Sequence, residues 1–196
     1  GDIMSEIQAN KLSPASGTGV QLGDSGDTIT IPSGATITNS GTATGFGEVN
    51  NPSFYAYMSA HQSLSDNVSA KVSFNTTLFA TSGTYNTSTY RFTPGVAGNY
   101  MFSICVVGDS QASSNLYAHK IYLFKNGGGI SHQGDGVTFN FDSNYPRQAP
   151  ITHNICDTAN TTDYYEVYVQ VNDTSSTPQA FRYGSFFSAF RIGSSA

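Results

Sequence analysis

The stretch RFTPGVAGNYMFSICVVG, residues 91–108, decides the fold because it joins a sharp turn to an uncharged strand. In residues 93–96, TPGV, proline fixes φ at the second turn position and glycine accepts a positive φ at the third, which predicts a type II turn. Residues 100–107 carry no charge on either face. A strand that is apolar on both sides belongs between two layers of structure. We therefore predict that residues 100–107 form the central strand of the fold.

Three other segments alternate with the period of two that is typical of strands. They are HKIYLFK at 119–125, DYYEVYVQV at 163–171 and FFSAFRI at 186–192. The first runs into Asn126-Gly127, the strongest short signal for a β-hairpin. Because no segment shows a sustained helical period, we predict an all-β sandwich or jelly roll.

Composition argues against several classes of function. The 196-residue chain has 8 Lys+Arg and 13 Asp+Glu, a net charge of −5 and no basic cluster, so a nucleic-acid partner is not expected. No apolar run approaches the roughly 20 residues of a membrane span. Cys105 and Cys156 match no zinc spacing. Cys105 is expected to be a buried free thiol, although the sequence leaves a disulfide between the two cysteines open.

The aromatic residues divide the chain into two parts. Residues 1–45 contain no Phe, Tyr or Trp, and all 13 Phe and 12 Tyr lie from Phe46 onward. Since large side chains dominate burial, the first part cannot build a core of its own. We predict an N-terminal shaft or attachment segment over residues 1–45, with residues 1–3 a cloning remnant, and a globular head over residues 46–196.

The predicted shaft is not featureless. Apolar pairs with period-2 spacing, Val20 with Leu22 and Ile29 with Ile31, are separated by a turn signal at residues 23–26, and a second turn signal at 32–34 precedes Ile37. Short strands of this kind can bury their apolar stripe only against other copies of the chain. A disordered linker is the alternative interpretation.

The segment VSFNTTLFATSGTYNTSTYRFTPGVAGNYMFSICVV, residues 72–107, resembles the globular head of complement 1q. LFKNG at 123–127 resembles that family's hairpin, and SFFSAFRI at 185–192 its closing strand, with Ala189 where the family prefers glycine. The family's usual Gly-Asp before the penultimate strand is Thr162-Asp163 here. The residues of the first segment that match the family's motifs are Val72, Phe74, Tyr85, Phe92, Pro94, Gly95, Gly98, Tyr100 and Phe102.

This resemblance covers residues 54–193 and implies a ten-stranded antiparallel jelly roll of the tumour-necrosis-factor type, assembled as a compact homotrimer. Aromatic residues on the second faces of strands, such as Tyr168 and Phe187, would then be buried between subunits. The residues expected to pack in the core or the trimer are Tyr100, Phe102, Tyr168, Phe187 and Phe190.

The N-terminal sequence NKLSPASGTGVQLGDSGDTITIPSGATITNSGTATGFG, residues 10–47, resembles the short repeats of tail-fibre-type proteins of marine bacteriophages. In such proteins a thin trimeric shaft carries a globular tip. The two resemblances therefore imply the same threefold assembly.

No set of residues indicates catalysis, so we predict that the protein is not an enzyme. Ser59, His61 and Asp66 are close in sequence but lack the nucleophile elbow of a hydrolase. A glycine-rich loop at 127–136 could ligate calcium through Asp135 and backbone carbonyls, but its ligand spacing is sparse; no cofactor is assigned and calcium stays open. His119 and His153 are expected at the surface or at sheet edges.

A binding protein of this class would use its loops. The loops over 109–119 and 132–147 combine Tyr, which stacks on sugar rings, with Asn, Asp and Arg, which hydrogen-bond their hydroxyls. Solvated connections without a ligand are the alternative. The candidate receptor-binding residues are Asp109, Asn115, Tyr117, His132, Asp135, Tyr145 and Arg147.

These observations predict a non-enzymatic, homotrimeric fibre protein of a bacteriophage virion, assembled in the host cytoplasm and located on the extracellular particle. Its N-terminal segment would attach to other virion proteins, and its head would bind a host-surface glycan or protein without inserting into a membrane. The alternatives are an architectural virion component, such as a capsid decoration or a tail or baseplate protein, and a secreted complement 1q-like recognition module. A glycan-cleaving tailspike would need paired acidic residues, and the chain has few.

Overall fold

The computed structural model describes residues 11–41, 51–81, 84–111, 114–130, 136–175 and 177–194. These ranges contain thirteen strands and no helix, and hence no helix that is long and apolar enough to cross a membrane. The strands are β1 (Ser53–Tyr57), β2 (Gln62–Ser63), β3 (Ala70–Lys71), β4 (Thr76–Ala80), β5 (Tyr85–Asn86), β6 (Arg91–Phe92), β7 (Gly98–Asp109), β8 (Leu116–Lys125), β9 (Gly128–Gly129), β10 (Gly136–Asn140), β11 (Gln148–Ala159), β12 (Tyr165–Asp173) and β13 (Gln179–Gly193).

The strands form two antiparallel sheets. Sheet A has the order β11-β7-β13-β1-β4, with β2 also paired to β13. Sheet B has the order β10-β8-β12-β6-β5, with β3 paired to β12 and β9 to β8. The prediction of an all-β antiparallel sandwich is confirmed. The count of ten strands is not, because the described residues hold thirteen, five of them two residues long.

The opening stretch folds largely as its sequence predicts. Gly95 has φ +69°, as the third position of a type II turn requires. Asn126 and Gly127 have φ +54° and +83° and join β8 to β9, so the predicted hairpin is confirmed. Strand β7 is an interior strand between β11 and β13, but β13 occupies the centre of sheet A. The prediction that residues 100–107 are central was therefore one position off, because the 15-residue β13 pairs with β1, β2 and β7.

Aromatic rings fill the space between the sheets. The ring centroid of Phe54 lies 4.5 Å from that of Phe92, 4.7 Å from that of Tyr85 and 4.8 Å from that of Phe187. Such contacts between offset or edge-on rings add to the free energy gained from burial alone. The head therefore has an aromatic core that one chain completes by itself.

The five residues predicted to pack in the core or the trimer divide into two groups. Tyr100, Phe102 and Phe187 are fully buried inside one chain, whereas Tyr168 is half-buried and Phe190 is 44% exposed. The prediction that Phe187 is available for subunit contacts is wrong. Its side of β13 faces the core, and the neighbouring positions Phe186 and Phe190 face outward.

The chain divides into two compact units, Gly1–Phe46 and Gly47–Ala196. Within the first unit, residues 11–41 form the two predicted turns, in which the Asp27 N–H donates to the Asp24 carbonyl (3.0 Å) and the Ala35 N–H to the Pro32 carbonyl (3.1 Å). No strand forms in residues 11–41 of the single chain. Their six large apolar side chains are 46–60% exposed: Leu12, Val20, Leu22, Ile29, Ile31 and Ile37.

Candidate functional site

The two loops predicted to bind a receptor meet at one end of the sandwich. The Ser110 N–H donates to the Arg147 carbonyl (3.0 Å), and the Leu116 N–H donates to the Pro146 carbonyl (3.0 Å). The rings of Tyr117 and Tyr145 pack edge-on with centroids 5.9 Å apart. We call Asn115, Tyr117, Tyr145 and Arg147 the loop-end site. Tyr117 lies on β8 instead of in a loop, since β8 begins at Leu116.

Asp109 lies beneath this site and not on its surface. Its side chain is fully buried, which corrects the prediction that it faces a receptor. Its carboxylate accepts hydrogen bonds from Gln179 Nε2 (2.6 Å), the Gln111 N–H (3.0 Å) and Arg147 Nε (3.3 Å). Burial alone would raise the pKa of Asp109, but these bonds and the Arg147 charge hold that pKa below its usual value. The ionised carboxylate therefore anchors Arg147 and the adjacent loop.

The exposed part of the loop-end site combines a cation with aromatic surface. The Arg147 side chain is 56% exposed and Tyr117 is 43% exposed. The Asn115 carbonyl accepts a hydrogen bond from the Thr174 N–H (3.0 Å), which fixes that segment against the end of β12. His132 and Asp135 lie outside the described residues. The arrangement suits a ligand with hydroxyl or anionic groups and a flat apolar surface.

A second surface is the outer face of sheet A, opposite the core. The register of the strands aligns Cys105 with Phe186 and Tyr57, and Ser103 with Ser188 and Tyr55. Tyr55 and Phe186 stack with centroids 5.3 Å apart. None of the aligned residues is charged. We call the following group the sheet-A face: Tyr55, Tyr57, Met101, Ser103, Cys105, Phe186, Ser188 and Phe190.

Sulfur atoms and an open groove extend the sheet-A face at its margins. The Cys156 thiol donates to the Met101 sulfur at 3.4 Å. Neither cysteine forms a disulfide and Cys105 is buried, so the prediction of a buried thiol at Cys105 is confirmed. Burial raises the pKa of the Cys105 thiol. A groove of about 580 Å³ opens at the other margin and is lined by Tyr55, Tyr57, Met58, Ser59, Leu78, Arg182, Tyr183, Gly184 and Ser185.

Of the two histidines expected at the surface or at sheet edges, one is buried in the core. His119 is fully buried, so the expectation of a surface or edge position is wrong for it. His153 lies on β11, an edge strand of sheet A, as expected. Among the described residues, no group of three or more His, Cys, Asp or Glu side chains could hold a metal ion. Asp135, the candidate calcium ligand, lies outside those residues.

The sheet-A face as a continuous surface was not predicted, although its signal is in the sequence. Residues 101, 103, 105 and 107 on β7 and residues 186, 188 and 190 on β13 are all uncharged. Period 2 assigns each set to one face of its strand, but only the pairing of β7 with β13 shows that the two sets adjoin.

No protein-family model matches the chain, and no curated protein sequence matches it. Among solved structures, the globular domain of zebrafish complement 1qA covers 74% of this chain and 98% of its own, with 16% identity and a TM-score of 0.46. The Eiger TNF of S. frugiperda covers 74% of this chain and 93% of its own, with 9% identity and a TM-score of 0.52. The head of this chain therefore has a jelly-roll fold similar to that of tumour necrosis factor.

Proposed function

We propose that this chain is a non-enzymatic recognition protein that assembles as a homotrimer and forms a fibre of a bacteriophage virion. The head would trimerise through the sheet-A face and contact the host surface through the loop-end site. The N-terminal segment would pair with its copies in a thin shaft and attach to other virion proteins. The observation that carries the proposal is the uncharged, aromatic sheet-A face.

Two properties of the sheet-A face support assembly with further copies of the same chain. Large exposed apolar patches are uncommon on monomers, and this face presents Phe190 at 44% exposure beside Ile192 at 49%. Its polar groups are hydroxyls and thiols, which cost little to bury when they are hydrogen-bonded. Identical copies related by a closed rotation axis can cover such a face on every subunit.

The N-terminal residues support the same assembly by independent means. Six apolar side chains of residues 11–41 remain 46–60% exposed, and no strand forms there in the single chain. Backbone groups and apolar side chains of this kind can be satisfied by neighbouring copies, as in repeat structures. The resemblance of residues 10–47 to phage fibre repeats gives the proposal its virion setting.

Assembly is tested by the mass of the full chain in solution. Light scattering after size exclusion is expected to give about three times the 20.8 kDa of one chain. Phe190→Asp places a charge in the proposed contact and is expected to yield monomers with unchanged β-sheet circular dichroism. The matched control is Phe139→Asp, at a residue that is 52% exposed on β10 of sheet B, and it is expected to stay trimeric. A monomeric wild type, or a trimeric Phe190→Asp variant, would contradict assembly through the sheet-A face.

Host binding through the loop-end site is tested separately. The double variant Tyr117→Ala, Arg147→Ala removes the exposed ring and cation, and fluorescent protein is expected to bind host cells about tenfold or more weakly as a result. The mass of the variant should remain that of the wild type, because neither residue belongs to the sheet-A face. If a trimer binds no cell of any susceptible strain, adhesion is excluded and an architectural role in the virion is favoured.

A further inference from the structure

The outer face of sheet B differs from that of sheet A in its charge. On β12, Val167 and Val169 are buried, so Glu166, Tyr168 and Gln170 lie on the opposite side of the sheet. On β8, buried Ile121 and Leu123 alternate with outward residues in the same way. The outward residues of the two strands therefore form one surface.

The register of β8 and β12 brings three aromatic rings together on this surface. Tyr168 lies opposite Tyr122, and Glu166 lies opposite Phe124. The rings of Phe124 and Tyr168 stack with centroids 4.4 Å apart and an interplanar angle of 25°, and the Tyr122 ring lies 6.2 Å from that of Phe124. All three rings are half-buried. We call Tyr122, Phe124, Tyr168, Gln170 and Lys120 the sheet-B platform.

Hydrogen bonds hold the Gln170 side chain of this platform in place. The Tyr122 hydroxyl donates to Gln170 Oε1 (3.2 Å), and Gln170 Nε2 donates to the backbone carbonyl (2.7 Å) and Oδ1 (2.9 Å) of Asn67. Side chains that are already ordered lose little conformational entropy when a ligand binds. The platform is therefore preorganised.

The platform also has an excess of positive charge. Lys71 Nζ and Arg91 Nη2 lie 2.6 and 2.9 Å from the same carboxylate oxygen of Glu166, whose side chain is 3% exposed. Burial alone would raise the pKa of Glu166, but the hydrogen bonds and charges of the two cations hold it below its usual value. One carboxylate thus faces two cations, and Lys120, opposite Gln170 on β8, adds a third. This is a positive surface on a chain whose net charge is −5.

We propose that the sheet-B platform binds an acidic glycan, a polysaccharide whose sugar rings carry carboxylates. The C–H groups of a sugar ring pack on aromatic surface, and the sugar carboxylate is attracted to the amine of Lys120. Residues diagonal to each other on paired strands are about 7–8 Å apart, so one sugar can contact Tyr168 and Lys120 together. A neutral glycan has no charged group that the positive surface would attract. The inference rests on the proposed recognition function but places this ligand away from the loop-end site.

The test is a calorimetric titration of the full chain with an alginate hexasaccharide, which is a chain of uronates, and with neutral cellohexaose. We expect the uronate to bind at least about tenfold more tightly than the neutral sugar, and its affinity to fall as NaCl is raised. Tyr168→Ala should weaken uronate binding about tenfold and Lys120→Gln about threefold. The solution mass of both variants should stay that of the wild type.

Matched variants away from both proposed binding surfaces serve as controls. Tyr183→Ala removes an exposed tyrosine from β13 of sheet A, and Lys11→Gln removes an exposed cation from the N-terminal unit, and both should leave the uronate affinity unchanged. Equal binding of the two sugars, no uronate binding at millimolar concentration, or full affinity in Tyr168→Ala and Lys120→Gln would overturn the inference. The titration contains no cells, so its result does not depend on host binding. A failure of host binding would refute the proposed function but not the uronate site.

Discussion

Replacing Phe187 with alanine is expected to lower the free energy of unfolding by about 3–5 kcal/mol, the range observed when a fully buried phenylalanine is truncated. The Phe187 ring is fully buried and lies 4.8 Å from that of Phe54, 6.0 Å from that of Phe74 and 6.3 Å from that of Phe102. Phe187, Phe54 and Phe102 lie on β13, β1 and β7 of sheet A, and the Phe187 ring also lies 6.2 Å from that of Tyr85 on β5 of sheet B. The cavity would therefore open between the two sheets and could collapse only partly. Urea unfolding followed by circular dichroism measures the effect.

Two controls separate core packing from assembly. Phe187→Leu retains most of the buried apolar volume and should cost about 1.5 kcal/mol or less. Phe139→Ala removes an exposed phenylalanine from β10 and should change the free energy of unfolding by less than about 0.5 kcal/mol. If Phe187→Ala instead dissociated the protein with little change in urea midpoint, Phe187 would be an interface residue, as the sequence alone suggested.

The case of Phe187 shows what the sequence could decide about β13 and what it could not. Period 2 assigns Phe187 and Ala189 to one face and Phe186 and Phe190 to the other, and the structure agrees. The outward face carries Phe186, Phe190 and Ile192, whereas the inward face carries only Phe187 beside Ala189, so hydrophobicity alone does not identify the inward face. That choice depends on which face meets Phe54 of β1 and Phe102 of β7, a long-range contact that local patterning does not encode.

Turns were easier to predict than the arrangement of strands. Gly95 and the pair Asn126-Gly127 adopt the positive φ values that their residue types favour, because the constraint is local. The position of β7 in its sheet could not be predicted in the same way, since it depends on which strands pair with β13.

The candidate site was also predictable only where local sequence features determine it. Composition identified Tyr117, Tyr145 and Arg147, and the structure brings all three to one end of the sandwich. The burial of Asp109 was not predictable, because its partner Gln179 is 70 residues away in the chain. The burial of His119 does have a signal in the sequence, because alternation places His119 on the same face of its strand as Ile121 and Leu123, which are both buried.

In the two proposals, the outer face of sheet A forms the contact between subunits and the outer face of sheet B binds a ligand. The sheets share one aromatic core, but the outer face of sheet A has no charge over its aligned rows, whereas that of sheet B carries Lys71 and Arg91 beside Glu166 and, farther along β8, Lys120. An uncharged surface is suited to burial between identical copies, and a charged one keeps its attraction for ions only when it remains accessible to solvent. Assembly through sheet A and ligand binding on sheet B are therefore compatible on one subunit.

Stability is expected to fall by about 2.5 kcal/mol when the pH is lowered from 7.5 to 4.5, because His119 is held neutral in the folded chain. Burial lowers the pKa of His119 from 6.5 to about 4. The ring Nδ1–H donates to the Ala149 carbonyl (3.1 Å), and Nε2 is buried without a partner among the described residues. A proton on Nε2 would thus be a buried charge with no acceptor. A Cβ at Gly108 would lie 2.9 Å from Nδ1, so the ring is also tightly enclosed.

The direction of this change in stability with pH follows from the number of protons that the folded and unfolded states bind. Between pH 6.5 and 4 the unfolded histidine is protonated and the folded one is not, so protons favour unfolding and stability falls as the pH is lowered through this window. Burial also lowers the pKa of His153, which acts in the same direction. Asp109, Asp163 and Glu166 have lowered pKa values from ordinary values of 3.8–4.5, so their stabilisation is present above that range and is lost only at lower pH.

His119→Gln provides the decisive comparison, since the glutamine amide can still donate to Ala149 but does not titrate. Urea midpoints measured from pH 7.5 to 4.5 are expected to fall steeply in the wild type and much less in His119→Gln, whatever the variant's stability at neutral pH. If the urea midpoints of His119→Gln and of the wild type had the same dependence on pH, the acid sensitivity would arise from other groups, because the variant lacks only the buried imidazole.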